Sequence, residues 1–250
     1  MVPLYGLYGQ VDYKSLKTII LLLLLLQIIL NVVNFTMAEP INSEIFRCKK
    51  DSGTYQLNSL YQTNLVSALK SLPALTSKSV GVKPNEVTAV ALCAGYLNPQ
   101  DCKSCIDKTI PLLLQKCPNQ KGAAAWRVKC MVKYGQPVLN NYDVWFVANE
   151  VSDIITKDVV GLQNTLSSLV DKLLLRLYKG QPMGYAYGTQ DYKNTRIVYM
   201  VMQCTNDISH KDCTKCILHV SGEIKRCCSG AIAAAILTPN CYLRYTHSDF

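Results

Sequence analysis

The chain has 250 residues, 49% of them hydrophobic, and its 26 Lys plus Arg outweigh 17 Asp plus Glu to give a formal charge of +9. No basic run exceeds two residues, so nothing in the sequence suggests nucleic-acid binding, and the charge reads as ordinary solubility. Twelve cysteines against three histidines, all in the second half, argue against a mixed Cys/His zinc site kept in both halves.

At the N-terminus, Lys14 and Lys17 precede an apolar run from Ile19 to Leu30 that includes six consecutive leucines, and Thr36-Met37-Ala38 follows. Residues 1–38 read as a secretory signal cleaved after Ala38. The rival reading is a retained anchor, but Gln27 and Asn31 interrupt a run that barely approaches the ~20 apolar residues needed to span a bilayer. The mature chain is therefore expected outside the cell, without stable membrane insertion. There, twelve thiols are expected to pair rather than to bind metal, and no cofactor is called for.

Residues 39–139 read as a first domain. Gly53 suggests a turn after a short strand holding Cys48, and Asn58 is expected to cap a helix starting at Ser59. Leu60, Leu65, Leu69 and Leu72 follow near-helical spacing until Pro73. Ser77 to Pro84 reads as a loop, and Val87 to Leu92 as a buried strand running into Cys93. Asn98 and Pro99 supply a cap and a first helical residue for a helix bearing Cys102 and Cys105 on one face, with Pro111 inside it as an unfavourable residue for its second half. Cys117-Pro118 marks the exit. Ala123 to Tyr134 reads as one strand, with Val128, Cys130 and Val132 on one face.

Residues 140–158 read as a connector that Trp145 and Phe146 make too apolar to be free, and residues 159–250 as a second domain. Leu162, Leu166, Leu169, Val170, Leu173 and Leu177 form a helical stripe ended by Gly180-Gln181-Pro182. A core-facing helix is preferred over a membrane-lying one, although Lys172, Arg176 and Lys179 flank it. Strands are expected at Tyr185 to Thr189 and Thr195 to Met202, around a turn at Asp191 to Asn194. Ser209 is expected to cap a helix with Cys213 and Cys216, before closing strands at Ala231 to Leu237 and Cys241 to Tyr245.

Five cysteines recur at one offset. Cys93, Cys102 and Cys105, spaced C-x8-C-x2-C, return 111 residues later as Cys204, Cys213 and Cys216, and Cys117 and Cys130 return as Cys228 and Cys241. The chain is a tandem duplication. Each copy is expected to be α+β, with two helices on one face of an antiparallel sheet. The cysteine preceding Cys102 by nine residues argues against reading Cys102 and Cys105 as a redox-active pair.

The C-x8-C-x2-C motif, followed by Cys117, Cys130 and Tyr134, resembles the ginkbilobin-homologous domain of plants. Two such domains behind a signal segment resemble the cysteine-rich repeat secretory proteins, over Cys48 to Phe250. The resemblance implies the bridges Cys48–Cys117, Cys93–Cys102, Cys105–Cys130, Cys204–Cys213 and Cys216–Cys241. The residue 111 after Cys48 is Val159, so Cys228 lacks the implied partner and an extra Cys227 stands beside it. A bridge between these neighbours and a reshuffled pairing within the second copy both stay open.

The resemblance also implies a mannose site made by an Asn, an Arg and a Glu. The matching residues are Lys49, Ala124 and Gly135 in the first copy and Val160, Ala235 and Thr246 in the second, so none is retained. Arg127 and Arg244 offer guanidinium groups near these positions, with no sequence reason to unite them. The expected function is a secreted, non-enzymatic interaction protein of the plant apoplast, in defence or stress signalling. Its partner is cell-wall carbohydrate or an extracellular receptor. The alternatives are an antifungal, lectin-like protein acting on microbial surfaces and, less favoured, a hydrolase. His210, His219 and His247 belong to no catalytic motif, and Asp101 and Asp212 suit helix starts.

Overall fold

A computed structural model describes residues 19–23, 25, 27, 44–72, 77–136, 148–179, 184–193 and 196–248. The cleavage position, Trp145, Phe146 and the Gly180-Gln181-Pro182 stop lie outside these residues. Residues 19–23, 25 and 27 are helical, and among the described residues no helix is long and apolar enough to cross a membrane. Both repeats fall within one compact unit, Ile41–Phe250.

The first repeat runs β1 (Ile45–Cys48), a 3₁₀ turn, α1 (Leu60–Ser71), β2 (Ser77–Val80), β3 (Val87–Cys93), α2 (Pro99–Lys116), β4 (Ala123–Trp126) and β5 (Cys130–Gly135). The second runs β6 (Ala148–Val151), α3 (Val159–Lys179), β7 (Tyr185–Tyr192), β8 (Arg196–Cys204), α4 (His210–Cys227), β9 (Ala234–Leu237) and β10 (Cys241–Thr246). Each repeat builds one five-stranded antiparallel sheet, in the orders β1-β4-β5-β3-β2 and β6-β9-β10-β8-β7. The fold is α+β, duplicated strand for strand.

The helices form where their caps and stripes are. Ser59, Asn98 and Ser209 each accept a backbone N–H from three residues ahead. The cap of α1 is Ser59 rather than Asn58, which sits at a φ of 60° just outside the helix and receives the Gln62 side chain on its N–H. On α1, Tyr61, Leu65, Ala68 and Leu69 are buried, as is Leu72 just past its end, whereas Leu60 of the expected stripe is 60% exposed and Tyr61 takes its place in the core. On α3, Leu162, Leu166, Leu169, Leu173 and Leu177 are buried at helical spacing. They cover one face of each sheet, meeting Val87, Ala89 and Ala91 in the first repeat and Val198, Met200 and Met202 in the second.

Several expectations need correction. The single strand from Ala123 to Tyr134 is a hairpin, because Arg127 N donates to Cys130 O and turns the chain back. The expected loop at Ser77 to Pro84 contains β2, a short polar edge strand whose sequence SKSV lacks the apolar alternation that signals burial. Residues 148–151 of the expected connector add strand β6 to the edge of the second sheet. Strand β7 continues to Tyr192, so the turn begins two residues later than its polar composition suggested.

Bridges pin helix to sheet in the same places twice. Cys93–Cys102 and Cys204–Cys213 join β3 and β8 to the start of the following helix, and Cys105–Cys130 and Cys216–Cys241 join that helix to the central strand of its sheet, β5 or β10. Cys48–Cys117 ties β1 to the end of α2, whereas Cys227 and Cys228 bridge each other at the end of α4. Both repeats make the same pair of backbone bonds beside this place, Tyr55 N to Asn119 O and Lys121 N to Gly53 O in the first and Thr156 N to Gly230 O and Ile232 N to Ile154 O in the second, so the second repeat keeps the backbone connection without the bridge.

Candidate binding surface at the junction of the repeats

Strand alternation leaves each sheet with a second face, and part of each is buried against the other sheet. Ala124, Trp126 and Met131 of the first repeat share one apolar cluster with Ala235 and Leu237 of the second, with Ile45, Leu92 and Tyr242 at its margin. This explains why β4 and β9 are buried at every position: helices cover one face and the partner sheet covers the other. The repeats thus stack as helix layer, sheet, sheet, helix layer.

The polar contacts across the junction are reciprocal. Lys133 on β5 and Arg244 on β10 are repeat equivalents, 111 residues apart. Lys133 Nζ reaches the β9–β10 hairpin, 2.5 Å from Asn240 Oδ1, and makes an ion pair of 2.9 Å with Asp207. Arg244 reaches the opposite hairpin and donates to Val128 O at 3.3 Å. Each cation lies across from a small residue, Ala124 for Lys133 and Ala235 for Arg244, which leaves room for its stem. Gln203 adds a third tie: its Nε2 donates to Cys93 O and its Oε1 accepts from the Tyr242 hydroxyl. Burial pushes the Tyr242 phenol well above its ordinary range, against the pull of Arg244.

Arg127 and Arg244 do come together here, lining a gap of about 20 Å³ beside Trp126, Met131 and Tyr242. That is the size of one water, so the two guanidiniums belong to an interface and not to a ligand pocket. Arg127 is further occupied by an ion pair with Glu44. In the first repeat the positions matching the sugar site lie together, with Lys49, Gly122 and Gly135 side by side at the ends of neighbouring strands and Ala124 two residues along β4, so it is the side-chain chemistry of the site that is absent. Ala124 and Ala235 are fully buried between the sheets, while Lys49 and Gly135 are half-buried in the first repeat, and in the second Thr246 is half-buried and Val160 exposed. A long polar side chain at Ala124 or Ala235 would have to part the two repeats.

Beyond the covered area the second sheet presents aromatic surface. Side chains at 186, 188 and 192 face the helices, so Tyr185, Tyr187, Thr189 and Asp191 face the other way. Tyr185 lies over Gly95 of the first repeat, where a Cβ would stand 2.4 Å from its ring. Tyr187 is 36% exposed; in the next row of the sheet Tyr199 lies between Thr189 and Thr246. The equivalent face of the first repeat carries Ser77, Ser79 and Thr88 instead. The reading of the sequence missed these tyrosines, although Tyr185 and Tyr187 in alternation were a visible signal. It also missed the equivalence of Lys133 and Arg244.

His210 and His219 lie along α4 and His247 follows β10, and among the described residues no three metal-capable side chains cluster. Asp101 and Asp212 occupy the first turns of α2 and α4, where each backbone N–H is held by the cap.

A bridged α+β domain repeated in tandem, sheet against sheet, defines the class of duplicated cysteine-rich extracellular domains. A family model described as salt stress response/antifungal matches residues 47–137 and 156–248, and the chain belongs to this family, whose members are plant proteins of secreted or receptor-like type. It is similar to cysteine-rich repeat secretory protein 38 of Arabidopsis thaliana, 29% identical over 217 residues that cover 80% of this chain and 82% of that one. It is also similar to cysteine-rich receptor-like protein kinase 27 of Arabidopsis thaliana, 31% identical over 204 residues, 79% of this chain and 32% of the kinase. The chain spans about a third of the length of that receptor kinase. The fold matches the crystal structure of the tandem DUF26 ectodomain of the Arabidopsis thaliana receptor-like protein PDLP8, with a TM-score of 0.65 and 23% identity over 82% of this chain and 98% of that one.

Proposed function

We propose that this chain is a secreted, non-enzymatic interaction protein of the plant apoplast, acting in defence or stress signalling, and that its ligand is cell-wall carbohydrate. The observation that supports this reading is the partly exposed tyrosine face of the second sheet, where Tyr187 is exposed and Tyr199 half-buried. The C–H faces of sugar rings stack on phenol rings, and the hydroxyls of Thr189 and Thr246 with the carboxylate of Asp191 suit sugar hydroxyls. The bridged, doubly packed scaffold holds that face rigid at little entropic cost on binding.

Glycan-array screening of the secreted, oxidised protein tests this, with Tyr187→Ala and Tyr199→Ala alongside. Binding to a neutral glycan that resists salt and falls at least tenfold in either variant supports the reading. Binding confined to acidic glycans and lost in moderate salt assigns the effect to net charge instead. A blank array favours the second reading, a protein receptor, which rests on the similarity to receptor-like kinases.

A further inference from the structure

The two repeats differ in what lines the outer side of their helices. A cleft of about 220 Å³ opens between α3 and α4, on the side of the helices away from the sheet. Gln163 Nε2 donates to Ser229 Oγ, which fixes the two helices antiparallel at this end. The lining continues along α3 through Ser167, Asp171 and Leu174 and along α4 through Lys225, Gly222, Ser221 and Leu218, an antiparallel run that sets Ser167 toward the Lys225 end and Leu174 toward the Leu218 end. The cleft exists because three of these residues are small: Ser167, Ser221 and Gly222 leave space that larger side chains would fill, and a Cβ added at Gly222 meets nothing within 4 Å. Its floor is Leu166, Val170 and Ile224.

The first repeat closes the same place. The residues 111 before Ser221, Gly222 and Lys225 are Ile110, Pro111 and Leu114, and Ile110 and Leu114 pack onto the first core. At the position of Leu218 the first repeat has Asp107, ion-paired to Lys103, whereas Leu218 is 53% exposed. The duplication has therefore exchanged apolar plugs for Ser, Gly and Lys at the cleft, and a surface charge for leucine at its far end. No ion pair engages Lys225 or Asp171 among the described residues.

We propose that this cleft binds a medium-chain monocarboxylic acid. The carboxylate would meet Lys225, with the Gln163 amide and the Ser167 hydroxyl as further donors, and the chain would lie over Val170 toward Leu174 and Leu218. Ser167 to Leu174 spans roughly 10 Å of helix, the length of about eight carbons. Asp171, on the rim beside the path of the chain, repels a second carboxylate, so the site prefers monoacids to diacids of equal length.

The test is titration of the secreted, oxidised chain with octanoate, followed by calorimetry and by chemical shifts of ¹³C-labelled methyl groups. About ten non-hydrogen atoms set an expected dissociation constant on the order of 0.1–1 mM. Suberate is expected to bind at least fivefold more weakly. Gly222→Leu fills the cleft from a helical position and replaces the poorest non-proline helix former, so it keeps or raises the melting temperature while weakening octanoate at least tenfold. Lys225→Met weakens octanoate five- to tenfold and leaves 1-octanol unchanged. Three results would each overturn the proposal: no saturable octanoate binding, binding that Gly222→Leu leaves intact, or equal affinity for octanoate and suberate.

Discussion

Replacing Lys133 by methionine tests the reciprocal junction between the repeats. Methionine keeps an unbranched apolar stem beside Ala124 and removes only the charged end. That end makes contacts of 2.5 Å to Asn240 and 2.9 Å to Asp207, with the Lys133 and Asp207 side chains 14% and 24% exposed. An exposed pair contributes up to ~1 kcal/mol. Breaking a fully buried one costs ~3–5 kcal/mol, because the abandoned charge stays dry. Asp207 retains some access to water, so the expected cost lies between, about 2 kcal/mol. For a body of this size that lowers the melting temperature by roughly 4–8 °C.

Urea unfolding of Lys133→Met, Asp207→Asn and the double variant gives the coupling directly, and more than ~1 kcal/mol of it is expected. A loss under ~0.5 kcal/mol in Lys133→Met, or strict additivity of the two changes, would refute the view that this cation joins the repeats.

Three further outcomes follow from the comparison of the copies. Loop-closure arithmetic gives about 4 kcal/mol for Cys48–Cys117, which closes 69 residues, and under about 1 kcal/mol for the adjacent pair Cys227–Cys228. Paired alanine replacements measured by thermal unfolding should show that ranking, and equal losses would contradict it. Tyr245→Phe should cost about 1–2 kcal/mol, since its hydroxyl donates toward Ala231 O and Cys228 O. Tyr134→Phe, at the equivalent position, should cost under about 0.5 kcal/mol, because its buried hydroxyl has no partner among the described residues. Burial, opposed by the bond to Ile197 O and aided by Arg196, holds the His247 imidazole below its usual value. The unfolded chain therefore takes up this proton first, near pH 6.5, so the contribution is complete above that pH and is lost as pH falls toward the folded value. Stability measured between pH 7.5 and 5 should decline less in His247→Phe; an equal decline would place the pH dependence elsewhere.

The sequence by itself determined the duplication, the α+β class and the buried stripe of α3, while on α1 it placed Leu60 in a stripe where the structure buries Tyr61. Those features depend on neighbours along the chain: the cysteine offset of 111 residues, caps such as Asn98 and Ser209, and apolar spacing that a single covered face imposes. It failed where burial comes from two sides. Ala123 to Trp126 is buried on both faces, so alternation carries no information there, and the hairpin at 127–129 lacks the glycine or proline that marks a turn.

Only the tertiary structure decided that Ala124 and Ala235 lie between the sheets, that Lys133 and Arg244 reach across to opposite hairpins, and that Tyr187 stays exposed beside a half-buried Tyr199. The same holds for the cleft at Gly222, whose walls come from helices some fifty residues apart in the chain. Composition shows which side chains are available at each position. What covers a face depends on packing between segments distant in sequence, and local periodicity does not encode that.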